Sequence, residues 1–138
     1  MRQSQEVKAF KNELNNYNFY KIRVEKLQSL IDFCYSMLPG SVHSIDYSRL
    51  PGHSPPNKEQ EYKVRSEIEK HERNKRLTQE KIRNIDETLA KIDIEIRSAI
   101  IAVYVDGNKL ADIAEQNYIS ANALQYRINK AIEGALNE

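Results

Sequence analysis

Apolar side chains recur every three or four residues along the N-terminal part of the chain. Spacings of three and four place side chains on the same face of an α-helix. The pattern therefore predicts one long helix over residues 3–38, with a nearly regular apolar stripe that contains one short step. The members of this N-terminal stripe are Phe10, Leu14, Tyr17, Tyr20, Val24, Leu27, Ile31, Cys34 and Leu38.

A second stripe with the same spacing begins after Asn57, a residue type that caps helices through its side-chain oxygen. The stripe runs from Val64 to Val103, and its first part predicts a helix over residues 58–91. We expect this helix to pair with the first as an antiparallel coiled hairpin, and to pair least tightly where the stripe is polar. The polar members are His71, Lys75 and Thr78.

The N-terminal stripe allows two interpretations. In the favoured one, its helix packs on another helix of the same chain. In the other, the stripe also builds an oligomer, because an apolar seam facing a polar stretch leaves surface that another copy could cover. Because of this uncovered apolar surface, we expect a homo-oligomer formed through the N-terminal helices.

A loop is predicted between the two helices. Residues 39–57 contain all four prolines and two of the four glycines of the chain, and Pro-Gly and Pro-Pro pairs mark turns and extended chain. A loop of this length is usually either functional or disordered. It carries His43 and His53, but no Cys or paired carboxylate stands at ligand spacing, so no metal site is predicted.

The pattern changes near Lys91–Asp93, where we expect a bend. Asp93 is a suitable cap for a new helix through Tyr104, and that helix is apolar over most of its surface. It should therefore form the centre of a C-terminal bundle. Gly107 is suited to the left-handed conformation that ends a helix.

A helix, a tight turn and a second helix are predicted over residues 110–136. Ile113 and Ala114 are apolar in the first helix, Ile119 fills the turn, and Ser120 is a suitable N-cap for the second. The small Ala114 permits two helices to cross closely. This pattern is the one that a helix-turn-helix needs to place its second helix in a DNA major groove. The apolar face of the second helix consists of Leu124, Ile128, Ala131 and Ile132.

These elements predict an all-α protein, a long helical hairpin or coiled coil followed by a helix-turn-helix bundle. We assign residues 1–91 to packing or oligomerisation and residues 92–138 to the helix-turn-helix. The composition agrees, because charged residues make up 30% and Gly and Pro number four each in 138 residues. No apolar run approaches the roughly 20 residues that span a bilayer. The polar N-terminus and the single Cys34 favour a reducing cytoplasm.

The charge distribution limits autonomous DNA binding. The net charge is +1, yet residues 92–138 hold four Lys and Arg against seven Asp and Glu. Since phosphate neutralisation drives much of DNA affinity, the domain should act as a multimer, with the help of the basic helices, or beside a partner already on DNA. The basic run Lys70–Arg83 is the best auxiliary phosphate contact, although interleaved acids favour an ordinary solvated face.

Two motifs resemble a known family. The segment Ile101–Ala114, an apolar helix followed by a short Gly turn and Ile-Ala, resembles the promoter-reading C-terminal domain of bacterial sigma factors. Leu124-x-x-Arg127-Ile128-x-Lys130-Ala131-Ile132 is similar to the recognition helix of that domain. In the turn before this helix, Asn117-Tyr118 stands where the sigma pattern usually has an apolar residue followed by Gly. The whole layout resembles small phage-encoded regulators of the RinA and ArpU type. This resemblance implies activation of late phage genes in a bacterial host cell.

The resemblance also implies which residues would face double-stranded DNA. Opposite the apolar face lie side chains that can pair with adenine edges or touch a thymine methyl group, and cations that can hold phosphates. The alternative is that all are ordinary surface residues of a helical bundle. The base-facing set is Ala121, Asn122, Gln125, Tyr126 and Asn129; Ser120 starts the helix, and the phosphate set is Lys109, Arg127 and Lys130.

Other functions remain as alternatives. The acidic C-terminal part favours an interaction protein that docks on RNA polymerase or a repressor without reading DNA, while the Asn and Gln residues favour the DNA reader. A phage DNA-packaging recognition subunit ranks third. No Gly-rich phosphate loop, nucleophile elbow or metal motif is present, so we expect a protein that is not an enzyme and needs no cofactor.

Overall fold

The computed structural model describes residues 4–39 and 58–138, and every regular element in these two ranges is helical. The predicted all-α class is confirmed. Residues 40–57, with His43 and His53, lie outside the described ranges. The elements are α1 (Gln5–Asn15), α2 (Tyr17–Ser36), α3 (Lys58–Ala90), α4 (Ile94–Ile100) with a π-helical turn (Ile101–Val105) after it, α5 (Leu110–Gln116) and α6 (Ala121–Leu136).

The single helix expected over residues 3–38 is interrupted at Asn16, which has φ −96° and ψ 1°. Its N–H donates to the carbonyl of Glu13 at 3.1 Å, and Tyr20 N–H donates to the carbonyl of Asn16 at 2.9 Å. The short step of the stripe, two successive spacings of three between Leu14 and Tyr20, lies here. Two such spacings rotate the stripe by roughly 120° around a 3.6-residue helix. A straight helix could not keep both parts of the stripe on one face.

The chain divides into two compact units. The terminal unit combines Met1–Tyr20 with Glu80–Glu138, and the hairpin unit is Lys21–Gln79. Neither limit coincides with the expected boundary at residues 91 and 92. The difference arises because α1 and the end of α3 share the core of α4, α5 and α6.

The core of the terminal unit explains why α1 belongs to it. Val7 and Leu14 of α1 are 2% and 0% exposed, and they share one cluster with Ile128 and Ile132 of α6. Ser4 starts α1, since its Oγ accepts from Val7 N–H at 3.1 Å. The N-terminal residues therefore contribute directly to the bundle that contains α5 and α6.

The helix predicted through Tyr104 changes its winding at Ile101. Asp106 N–H donates to the carbonyl of Ile101 at 2.9 Å, a bond across five residues that defines a π-helical turn. Gly107 follows with φ +78°, so its predicted left-handed conformation is confirmed. Asp93 occupies the N-cap position of α4 but makes no side-chain capping bond there.

In the hairpin unit, α2 and α3 run antiparallel, as the paired positions Gln28–Lys75 and Tyr35–Glu72 show. The apolar stripe residues of this unit face inward. The polar stripe position Thr78 is 5% exposed and donates to the carbonyl of Asn74. Among the described residues, the buried apolar side chains of the hairpin unit are Leu27, Ile31, Leu38 and Ile68.

Candidate nucleic-acid interface

The candidate interface begins at Lys109, the N-cap position of α5, which has extended backbone (φ −70°, ψ 135°) and an exposed side chain. Ile113 and Ala114 are 7% and 1% exposed in the core beside α6. An alanine at such a position has no bulk beyond Cβ, so the two helix backbones can approach closely. The burial of this pair agrees with the sequence prediction.

The turn between α5 and α6 closes with two backbone hydrogen bonds. Tyr118 N–H donates to the carbonyl of Glu115 and Ile119 N–H to that of Ala114, each at 3.1 Å. This is the Schellman pattern, in which the residue after the helix cap adopts a left-handed conformation. Tyr118 does so with φ 60°, at the position where the sigma pattern has Gly, and its side chain is 96% exposed.

Ser120 begins α6 in the predicted way. Its Oγ accepts a hydrogen bond from Ala123 N–H at 3.1 Å, and its backbone is extended (φ −73°, ψ 157°). The bond satisfies one of the free N–H groups of the first turn. Leu124, at 2% exposure, then starts the inward face of the helix, so the helical phase predicted from the sequence holds.

The structure divides the predicted DNA-facing residues into three groups. Most are exposed, and Ala121 and Gln125 are half-buried. Asn129 differs from the expectation, because it is only 8% exposed. It is covered by α1, which the sequence analysis assigns to the other domain. The exposed group consists of Lys109, Ser120, Asn122, Tyr126, Arg127 and Lys130.

A polar cluster with two buried and two half-buried members lies beside the exposed face of α6. Lys11 of α1 is 6% exposed; its ammonium donates to Asn129 Oδ1 and lies 5.2 Å from the centre of the Tyr104 ring. Gln125 Nε2 donates to Asn129 Oδ1 at 3.0 Å and to the Tyr104 hydroxyl at 3.3 Å. We call these four residues the Lys11 cluster. It joins α1, the π-helical turn and α6.

Sequence reasoning missed Lys11, although a signal was present. Val7, Lys11 and Leu14 have the spacing of one helix face, and both apolar members are buried. A lysine at a core position of an apolar stripe requires either an exposed end or a polar partner. The partner is Asn129, 118 residues away in the chain, so no local pattern identifies it.

The charges around α6 are mixed. Lys130 Nζ lies 5.7 Å from the centre of the Tyr126 ring, so the cation and the aromatic face form one surface feature. Two acidic residues of the preceding helix α5, Asp112 and Glu115, are also exposed. The terminal unit as a whole has ten Lys and Arg against twelve Asp and Glu. Its field therefore gives polyanions little general attraction.

Within residues 4–39 and 58–138, no group of three His, Cys, Asp or Glu residues is placed to hold a metal ion. In the same ranges, no helix has the length and apolar character needed to cross a membrane. No family model matches the chain, and no match was found among characterised proteins or solved structures. The resemblance to sigma-type regulators therefore stays a prediction from the sequence.

Proposed function

We propose that this protein is a phage or prophage transcription regulator that binds double-stranded DNA through α6. The observation that carries the proposal is the α5–turn–α6 arrangement. It has a closed turn, a capped second helix and an exposed polar face beginning at the N-terminal end of that helix. Helix-turn-helix proteins contact base edges with this end of the second helix.

The exposed side chains have the chemistry that the role requires. Asn122 can donate to and accept from an adenine edge, and the Tyr126 ring can contact a thymine methyl group. Arg127, Lys130 and Lys109 are exposed cations that can hold phosphates and fix the register. The resemblance to RinA and ArpU regulators supports activation of late genes in the cytoplasm of a bacterial host.

The proposal includes self-association, since a single acidic terminal unit offers few phosphate contacts and two linked copies would combine their affinities. The N-terminal stripe is largely buried within the chain, so a second copy has to use another surface. Among the described residues of the hairpin unit, five large apolar side chains other than tyrosines are between 38% and 63% exposed: Ile22, Leu30, Phe33, Met37 and Leu77. Light scattering of the full chain at micromolar concentration should give a dimer or larger; a monomer would remove this part of the proposal.

The DNA-binding role is tested by selecting fragments from a random double-stranded library with the full chain, with and without RNA polymerase. We expect enrichment of one sequence without polymerase. Recovery of random sequence at all salt concentrations would contradict the proposal. Salt must be varied, because non-specific binding falls steeply as salt rises.

A second candidate is a protein that docks on RNA polymerase or a repressor without reading DNA. The acid surplus of the terminal unit and the 96% exposed Tyr118 favour it, because an exposed aromatic side chain suits a protein interface. In that case the selection yields no sequence, and the chain is retained on immobilised polymerase. Neither candidate requires a catalytic group, a metal or a cofactor.

A further inference from the structure

In the Lys11 cluster, the chemistry of the side chains fixes which atoms donate and which accept hydrogen bonds. A lysine ammonium has three donors and no acceptor, so the atom of Asn129 that faces it must be the carbonyl oxygen Oδ1. Lys11 is 6% exposed, and the desolvated cation strongly disfavours an amide turned the other way. Lys11 therefore determines which end of the Asn129 amide points towards α1.

The orientation of the Asn129 amide in turn fixes the donor and acceptor roles of Gln125. Asn129 Oδ1 accepts from Lys11 and from Gln125 Nε2, and the other Nε2 hydrogen goes to the Tyr104 hydroxyl. Both donors of the Gln125 amide are thus used inside the protein. In the described part of the chain, the one buried side-chain nitrogen or oxygen without a partner is His71 Nδ1. Gln125 Oε1 has no partner in that part of the chain and is not among the fully buried atoms, so it keeps some contact with solvent.

We propose that Lys11 is a positioning residue for base recognition. Through Asn129 it holds Gln125 with Oε1 outward, so Gln125 offers DNA an acceptor and no donor. In the major groove adenine and cytosine present an amino group, whereas guanine and thymine present acceptors without one. The operator therefore has one position, the one facing Gln125, that prefers adenine or cytosine. This inference rests on the proposed DNA-binding function and assigns a specificity to the same site.

The experiment compares sites selected from a random double-stranded library by the parent and by Lys11→Met and Lys11→Arg. Methionine keeps an unbranched apolar stem but removes the donor, so the Asn129 amide can turn. We expect the parent and Lys11→Arg to prefer adenine or cytosine at one position by about tenfold over guanine and thymine, the ratio of one good base contact. Lys11→Met should lose this preference and keep the rest of the site.

Asn129→Asp is the second variant, and it protects the test against a Lys11 variant that fails to fold. An ionised aspartate only accepts, so it pairs with Lys11 and still receives the Gln125 amide. Its selected site should match that of the parent, whereas Asn129→Leu should show the relaxed position. Circular dichroism identifies any variant that has lost its helices.

The outcomes separate the inference from the proposed function. If the parent selects a site and both Lys11→Met and Asn129→Leu select the same one, the positioning role is overturned and the DNA-binding function stands. If the parent selects no site, the proposed function is overturned and the inference with it. Loss of selectivity at a single position in Lys11→Met and in Asn129→Leu supports both the inference and the proposed function.

Discussion

Asn122 lies at the exposed N-terminal end of α6, one turn before the half-buried Gln125. Because its side chain faces solvent, replacing Asn122 by Ala should leave the fold intact. It should weaken binding to the selected site by roughly 1–3 kcal/mol, the usual contribution of a base contact. Titration of labelled DNA measures the change. Asn84→Ala, on the exposed side of α3, is the matched control and should bind like the parent; equal binding by both variants would argue against direct reading by Asn122.

Tyr118 combines a left-handed backbone with an almost fully exposed side chain. A non-glycine residue pays about 1–2 kcal/mol in this conformation, and glycine avoids that cost while losing some chain entropy. Tyr118→Gly should therefore raise the free energy of unfolding by about 0.5–1 kcal/mol. Urea unfolding measures it, with Tyr118→Ala as a control that retains the strain and should change little. A destabilised glycine variant would show that the tyrosine side chain makes a contact that its exposure hides.

At the scale of elements, the segment from Gly107 through α6 is the most predictable part of the chain. The Ser120 cap, the burial of Ile113 and Ala114 and the left-handed Gly107 are local properties, and local sequence determines them. The place of α1 was not predictable in the same way. Helical periodicity identifies which face of a helix is buried, but not which other helix buries it. For that reason the sequence predicts Asn129 on the surface, and it does not identify Asn129 as the partner of Lys11.

Leu124 tests the packing of α6 on the rest of its unit. It is 2% exposed and belongs to the cluster that contains Ile113 and Ile100. Leu124→Ala should lower the free energy of unfolding by roughly 2–5 kcal/mol, because a buried leucine loses both its transfer free energy and its packing. Urea unfolding followed by circular dichroism gives the value. Leu77→Ala truncates a leucine that is 56% exposed and should lower the free energy of unfolding much less. Equal losses in the two variants would contradict the burial of Leu124.

At the scale of the molecule, residues 92–138 should not fold as an isolated fragment. The terminal unit buries Val7, Phe10 and Leu14 of α1 and Ile85 and Leu89 of α3. Each such side chain contributes about 1.5–3 kcal/mol through burial, and together they rival the roughly 5–15 kcal/mol stability of a whole domain. Circular dichroism of the fragment should show little helix and no cooperative melting, whereas the full chain should show both. A cooperatively melting fragment would contradict the composition of the terminal unit given by the structure.

The terminal unit is assembled from the first and last parts of the chain, and this has a consequence for synthesis on the ribosome. Asn129 is synthesised 118 residues after its partner Lys11. At about 5–20 residues per second, the interval between the two is on the order of ten seconds. During that time the nascent α1 has no partner from α6 for its apolar face. A message cut short before α6 would therefore yield a chain whose terminal unit lacks the core residues Leu124, Ile128 and Ile132. Translation must reach the last helix before the terminal unit can complete its core.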